Sequence, residues 1–353
     1  MAWRELLAAD LGEWNRRLLG EPAASIRQYP LLNEGLRGSG GLWVSFPGRY
    51  AALIACGRRW TTTPRYLVHC LPDGTTSFAC IVSIGVPGLR FGCLLDGPVT
   101  MNGHPTAPGV VQDLLWWARR NHYVALRLTH SSEAYLHALA ALGRADRIDG
   151  VPFYPYPTSE LYVELVSDEA QMLAGFKPDA RRSIRYAREA GYLITTDRKP
   201  GALEKAWPAF QSRSARKGIT YRGMETYKRI MLEAEPDDAA RLYTAWREGV
   251  PVGAILILRD CATAHYFLGA VDTDALGGAP SPAYLLQWSA MRDAQAMGCR
   301  FYNLGTRSGT VYTFKAKFRP IEHERPVPLT FAIRPRLYAL WRRMLPAVAR
   351  AVT

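Results

Sequence analysis

One helix-into-strand unit occurs twice in this chain, and its spacing limits the folds open to it. LLWWARRNHYVALRL (residues 114–128) reads as a helix running into a strand, and AMRDAQAMGCRFYNL (290–304) repeats the layout. Laying Ala118 on Ala294 sets Leu114 on Ala290 and His122 on Gly298, a displacement of 176 in a chain of 353 residues. A repeat at half the length predicts two similar domains, each of ordinary domain size. Chance is the competing reading, because helix-to-strand units are common.

The remaining patterning is compatible with that division. Apolar spacing predicts an opening helix through Trp3, Leu6, Leu7, Leu11, Trp14 and Leu18. Strand-like runs follow at 41–46, 51–56, 66–70 and 77–84, then at 91–100 with Gly97-Pro98 as a breaker. Helices are expected over 110–121 and 132–142, with a strand over 123–129 between them. The Pro/Tyr-rich stretch 152–157 marks a boundary. Beyond it come a strand over 161–166 and helices over 168–175 and 178–190, the second opening on Pro178 and closing at Gly191. A strand over 191–197, helices near 203–217 and 224–234, and a meander over 241–246, 252–258 and 264–268 follow. A helix over 283–297 and a strand over 300–304 complete the pattern. Strands and helices mixed in this way, with meanders in each half, predict an α+β fold. The expected division is 1–155, 156–333 and a basic C-terminal helix over 334–353.

Composition narrows the function. Apolar residues make up 48% and charged residues 21%, values of a globular and not a disordered chain. Lys plus Arg total 44 against 31 Asp plus Glu, a formal charge of +13. That excess points to a polyanionic partner, such as nucleic acid, a phosphorylated substrate or an anionic membrane, or else to a solvated basic surface. Six cysteines are scattered without a CxxC, and the seven histidines form no zinc-type spacing with them. A disulfide framework and a structural metal are therefore not expected. The N-terminus carries Arg4, Glu5 and Asp10 and has no signal-peptide run. The longest apolar stretch, 250–258, is far short of a membrane span. A cytoplasmic location is expected.

Four segments carry a family resemblance. Residues 282–305 read P-A-Y-L-L-Q-W-S-A-M-R-D-A-Q-A-M-G-C-R-F-Y-N-L-G, and eight residues on comes F-K-A-K-F. Earlier segments are F-G-C-L-L-D-G-P-V (91–99), R-R-S-I-R-Y-A-R-E-A-G (181–191) and R-S-A-R-K-G-I-T-Y-R (213–222). In this order they resemble the Fem family of non-ribosomal peptidyl transferases, over about 77–319, in its compact form without a coiled-coil arm. Asn303 stands where the family pattern has Asp. The resemblance implies two tandem acetyltransferase-like (GNAT-type) domains, the second with the catalytic motif, and an acceptor groove between them. It also implies an aminoacyl-tRNA donor and an amine acceptor, on either a peptidoglycan precursor or a small-molecule antibiotic, with no cofactor.

The chemistry fits the residues available. Aminoacyl transfer needs a held donor ester, a deprotonated amine and a stabilised oxyanion. The ester is already activated, and the chain has neither a GxSxG elbow nor a cysteine marked as a nucleophile. In the family pattern the Lys after Phe stabilises the tetrahedral intermediate, which assigns Lys315, beside Phe314. A surface lysine is the alternative. Asp96 before Gly97-Pro98 either orients the incoming amine or accepts its proton, or else merely forms the turn. Phe91 is placed in the acceptor groove by the resemblance, and in a core by its strand setting. The family holds its acceptor diphosphate with a basic residue and a tyrosine one helical turn on, plus a later tyrosine. Lys217, Tyr221 and Tyr266 match this, with Arg216 as the other basic candidate. Lys177, Arg181, Arg182, Arg185 and Arg188 make one basic helix face, which either contacts tRNA phosphates or is solvated. The segment 334–350 interleaves arginines with Leu337, Leu340, Trp341 and Leu345. With Pro346 inside it, a packed terminal helix, tRNA contact and weak membrane contact are the readings.

Two other functions compete. An acyl-CoA-dependent N-acyltransferase needs a Gly-rich loop opening a helix, to bind pyrophosphate. The Arg37–Gly41 stretch precedes an expected strand, and residues 277–282 read G-G-A-P-S-P, where two prolines remove donors. A non-catalytic RNA-binding protein is the third reading, against which Phe314-Lys315 is retained.

Overall fold

The computed structural model divides the chain into two units, residues 1–158 with 325–353, and residues 159–324. It describes all residues except 1–2, 31–32, 35–60, 87–88, 104, 144, 147–158, 219–220, 308–310 and 352–353, and except the side chains of 26, 61, 62, 86 and 344–351. The strands expected at 41–46 and 51–56, the 152–157 connector and the Arg37–Gly41 stretch lie outside the described residues.

In the first unit a sheet runs in the order β1 (Arg4–Glu5), β2 (Thr61–Cys70), β3 (Thr76–Val86), β4 (Leu89–Leu94), β6 (Tyr123–Leu128), β15 (Leu329–Phe331), β7 (Ala145–Asp146), with β5 (Val99–Thr100) on β3. Strands β2, β3 and β4 form an antiparallel meander. Helix α2 (Pro108–Arg120) then crosses over, and β6 returns parallel to β4. Val110, Val111, Leu114, Leu115 and Ala118 fall on one face of α2 and are buried against Leu126 and Leu128 of β6. Ser132 caps helix α3 (Glu133–Ala140), its hydroxyl accepting from the Tyr135 N–H.

Two sequence expectations are corrected here. Trp3 and Leu6 are buried, but they flank an edge strand, β1, and only Leu11–Leu19 forms the opening helix, α1. Arg4 and Glu5 are both exposed between the buried Trp3 and Leu6, an i, i+3 spacing that a helix stripe shares over so short a stretch. Residues 325–333, read with the second half, lie in the first unit because Leu329–Phe331 pairs with Leu126–Leu128. The last helix, α10 (Pro335–Ala351), runs through Pro346. Its Tyr338 is buried, Trp341 meets Phe91, and Arg342 pairs with Asp146.

The second unit repeats the topology. Its sheet runs β14 (Ile321–Glu324), β8 (Ser159–Glu164), β13 (Phe301–Thr306), β12 (Thr263–Val271), β11 (Val250–Arg259), β10 (Ala240–Arg247), β9 (Leu193–Asp197). Again a meander, β10–β11–β12, is followed by a crossover helix, α8 (Ala283–Ala296), and a parallel strand, β13, beside the last meander strand. The repeat at displacement 176 thus falls on the same crossover in both sheets. The remaining helices are α4 (Glu169–Gly175), α5 (Pro178–Glu189), α6 (Ala202–Lys217), α7 (Met224–Ala234) and the short α9 (Val311–Lys315). Asp168 caps α4 through the N–H groups of Ala170 and Gln171, and Gly218 closes α6 in the left-handed conformation at φ +63.

Both units are thus α+β sheets of one plan. No described helix is long and apolar enough to cross a membrane.

Candidate active site

The Phe-Lys-x-x-Phe motif folds as a clamp. Phe314 and Phe318 are four residues apart, on α9 and the single 3-10 turn that continues it, so both rings point the same way. They meet each other at 5.5 Å, and Tyr284 of α8 contacts them at 4.6 and 5.4 Å. Phe318 also meets Phe176 edge-on at 5.1 Å, and Phe176 meets Trp288 at 5.7 Å. With the phenylalanines anchored, Lys315 is turned inward and keeps only 6% of its surface exposed. Its Nζ donates to the Thr306 carbonyl at 2.9 Å. Burial pushes its pKa from 10.5 down to about 8, because an ammonium out of water loses hydration. The surface-lysine reading does not fit this setting.

Beside the clamp, β12 and β13 separate. Their parallel pairing runs from Thr263 on Phe301 to His265 on Asn303, and β12 slips register against β11 one residue past Tyr266. A cavity of about 250 Å³ opens there, lined by Arg213, Tyr266, Val271, Leu286, Gln287 and Phe314 among others. Among the described residues none that lines it is a carboxylate. Gln287 accepts at its amide oxygen from the Tyr302 hydroxyl at 2.6 Å. Arg213 of α6 leaves its Nε buried without a hydrogen-bond partner.

The structure brings together only part of the expected acceptor set. The Tyr221 hydroxyl donates to the Gly269 carbonyl at 3.2 Å, and the Tyr266 hydroxyl lies over Gly269, where a Cβ would sit 2.3 Å from it. Burial pushes the Tyr266 phenol up to about 12 and raises that of Tyr221, while the Arg213 charge opposes both shifts. Lys217 is exposed at the end of α6, and Arg216 pairs with Asp274 at 3.3 Å. The cation beside the two tyrosines is therefore Arg213, one turn earlier than expected. One signal pointed to it: Arg213 and Lys217 share a helix face at i, i+4, and only the earlier turn is covered by β12.

The first-unit residues are engaged otherwise. Asp96 sits at φ 47 after β4, with its carboxylate between Arg27 at 2.9 Å, Arg325 and the Thr129 hydroxyl at 3.1 Å. Phe91 is fully buried against Trp341, a core position and not a groove wall.

On α5, Lys177, Arg181, Arg182, Arg185 and Arg188 are all exposed. Arg182 pairs with Asp179 at 2.9 Å and Arg185 with Glu189 at 3.6 Å. Lys177, Arg181 and Arg188 have no ion pair among the described residues, and Tyr186 stands 44% exposed beside them. The opposite face, Ala180, Ile184 and Ala187, is buried. Among the described residues no group of acidic, His or Cys side chains could hold a metal ion.

Comparison with known proteins bears on the fold. Residues 174–316 match the family described as the acetyltransferase (GNAT) domain. No curated protein matches the chain in sequence. Among solved structures, FemX superimposes with a TM-score of 0.75 at 13% identity, covering 96% of this chain and 99% of that one. A conserved protein of Bacteroides thetaiotaomicron gives 0.55 at 10% identity, over 94% and 98%. The C-terminal domain of a protein described as a lysylphosphatidylglycerol synthetase, from Agrobacterium fabrum, gives 0.51 at 16% identity, over 89% and 95%. The chain has the tandem acetyltransferase-like fold of FemX, with an acetyltransferase (GNAT) family match across most of its second unit.

Proposed function

We propose that this chain is an aminoacyltransferase that moves an aminoacyl group from a charged tRNA to an amine, forming an amide bond. The observation that carries the reading is Lys315, a dehydrated cation fixed by the Thr306 carbonyl, next in sequence to a cavity wall. As the amine attacks the ester carbon, the carbonyl oxygen gains charge, and a fixed ammonium favours that state over the ground state. The C–N bond forms, the bond to the ribose oxygen breaks, and the ribose oxygen leaves with a proton. Phe314 walls the reacting group from water. Arg213, Tyr221 and Tyr266 hold an anionic portion of the acceptor, and α5 contacts the acceptor stem of the tRNA. A nucleotide-linked peptidoglycan precursor and an anionic small-molecule antibiotic both suit that set.

Backbone donors favour tRNA over CoA. A CoA pyrophosphate needs free N–H groups where α8 begins. There, Gly277 and Ala279 donate to the carbonyls of Asp274 and Leu276, and Ala283 donates to the Ser281 hydroxyl. Residues 280 and 282 are prolines and have no N–H. The reading is tested with an amino acid, ATP, its synthetase and tRNA: RNase is expected to abolish product. Product that survives RNase, or that forms with an acyl-CoA alone, would overturn it.

A further inference from the structure

Asn303 departs from the family pattern, and its surroundings give it work that the reaction alone does not require. It is 4% exposed at the last parallel pair of β12 and β13, opposite His265. Its amide oxygen accepts the Gly305 N–H at 2.7 Å, which places its nitrogen toward His265 Nδ1 at 3.3 Å. An amide nitrogen only donates, so Nδ1 is the acceptor and Nε2 carries the proton. Nε2 lies 2.7 Å from Asp260 Oδ2. The other oxygen of Asp260 accepts the N–H groups of Ala262 and Thr263 at 3.2 and 2.8 Å, so the far end of the series is fixed to the backbone. One neutral imidazole satisfies every bond. The amide cannot rotate without losing two of them.

The residue held by this series is next to the lysine. Between Asn303 and Thr306, β13 slips against β8: Asn303 pairs with Tyr162 and Thr306 with Glu160, so one extra residue bulges. Gly305 takes φ +78 within that bulge, a left-handed conformation costly for other residues, and the Asn303 oxygen holds its N–H. The next carbonyl, Thr306, receives Lys315 Nζ.

We propose that Asn303 is a positioning residue for Lys315: its amide oxygen fixes the Gly305 bulge that aims the Thr306 carbonyl at Nζ, and His265, backed by Asp260, locks the amide. The proposal rests on the catalytic reading of Lys315, but it is tested on the lysine itself. The experiment is competitive labelling of Lys315 with acetic anhydride across pH on the full chain, read by mass spectrometry beside the steady-state constants. In Asn303→Ala the carbonyl is no longer held, so the labelling profile of Lys315 shifts and kcat falls roughly 10²-fold with KM unchanged, the usual cost of a misplacement near 1 Å. Asn303→Asp keeps an oxygen for the Gly305 N–H, so labelling and kcat return to near the wild-type values. Unchanged labelling in Asn303→Ala would overturn the proposal, as would Asn303→Asp behaving like Asn303→Ala. If Asn303→Ala does not fold, His265→Phe frees the amide and should move labelling the same way, and no movement would overturn it. A Lys315 that is dispensable for turnover sinks the catalytic reading alone, because the labelling comparison stands without it.

Discussion

Replacing Lys315 with Met removes the cation and keeps most of its length and shape, so it separates what the lysine costs the fold from what it gives the reaction. Burial holds the pKa down from 10.5 to about 8. At about 1.4 kcal/mol for each tenfold change in proton affinity, that is about 3 kcal/mol against the folded state while both states are protonated. Losing the bond to the Thr306 carbonyl returns about 1 kcal/mol of that gain. Lys315→Met is therefore expected to be more stable than wild type by about 2 kcal/mol at pH 7, by denaturant unfolding. The sign follows from linkage. Below about pH 8 the full penalty is present. Between about 8 and 10.5 the unfolded lysine still binds its proton and the folded one does not, so wild-type stability rises and the gap closes. Turnover should fall about 10²- to 10³-fold below about pH 8, where wild-type Lys315 carries its proton, the usual loss for one oxyanion donor. A variant that is less stable than wild type at pH 7, or that turns over near the normal rate, would refute the reasoning.

The other expectations concern the pH profile, the donor and the acceptor. If a protonated Lys315 is required, kcat should fall as pH rises through about 8, and Lys315→Arg, which keeps its charge, should lose that limb while restoring only part of the rate. Replacing Lys177, Arg181 and Arg188, which have no ion pair among the described residues, should reduce the slope of log K for tRNA against log salt by about 2 to 3. Arg182→Ala, already paired with Asp179, should change it less, and equal changes would return the face to solvent. Gly269→Ala sets a methyl where the Tyr266 hydroxyl lies, 2.3 Å away, so KM for the acceptor should rise with kcat held, and an unchanged KM would remove Tyr266 from acceptor binding.

Periodicity carried most of the second unit. Meander, crossover helix and parallel strand were legible because α8 is long and the strands are short apolar runs, the central one buried almost throughout, and boundaries moved by only a few residues. The first nine residues were not, since Trp3, Leu6 and Leu11 suit a helix stripe and an edge strand followed by a turn equally well. The return of 329–331 to the first sheet is a pairing over two hundred residues of sequence, which no local pattern encodes. At the site, Lys315 and Phe314 were legible through the spacing of the two phenylalanines. Arg213 was not, because a helix face says which residues align but not which turn a sheet covers. Asp96 was half legible: its turn was readable, but its two arginine partners come from residues 27 and 325.

Asp96 and Lys315 were both expected to serve the reaction, and their settings differ. Asp96 is held between two guanidinium groups and a hydroxyl, so its carboxylate is fixed in place. Among the described residues the cavity lining has no carboxylate. On the proposed reaction, the amine that attacks the ester is neutral, and its own equilibrium sets how much of it is. An α-amine with pKa near 8 is roughly one-tenth neutral at pH 7, whereas a lysine-like amine near 10.4 is neutral in roughly one molecule in 2,500. The protein can narrow that gap by the means it applies to Lys315. Ile255, Val271, Leu286 and Phe314 make the cavity wall largely apolar, and an amine drawn among them loses hydration and proton affinity as the lysine does. The dehydration that makes Lys315 costly to the fold is thus the same condition that would free the nucleophile of the proposed reaction near neutral pH.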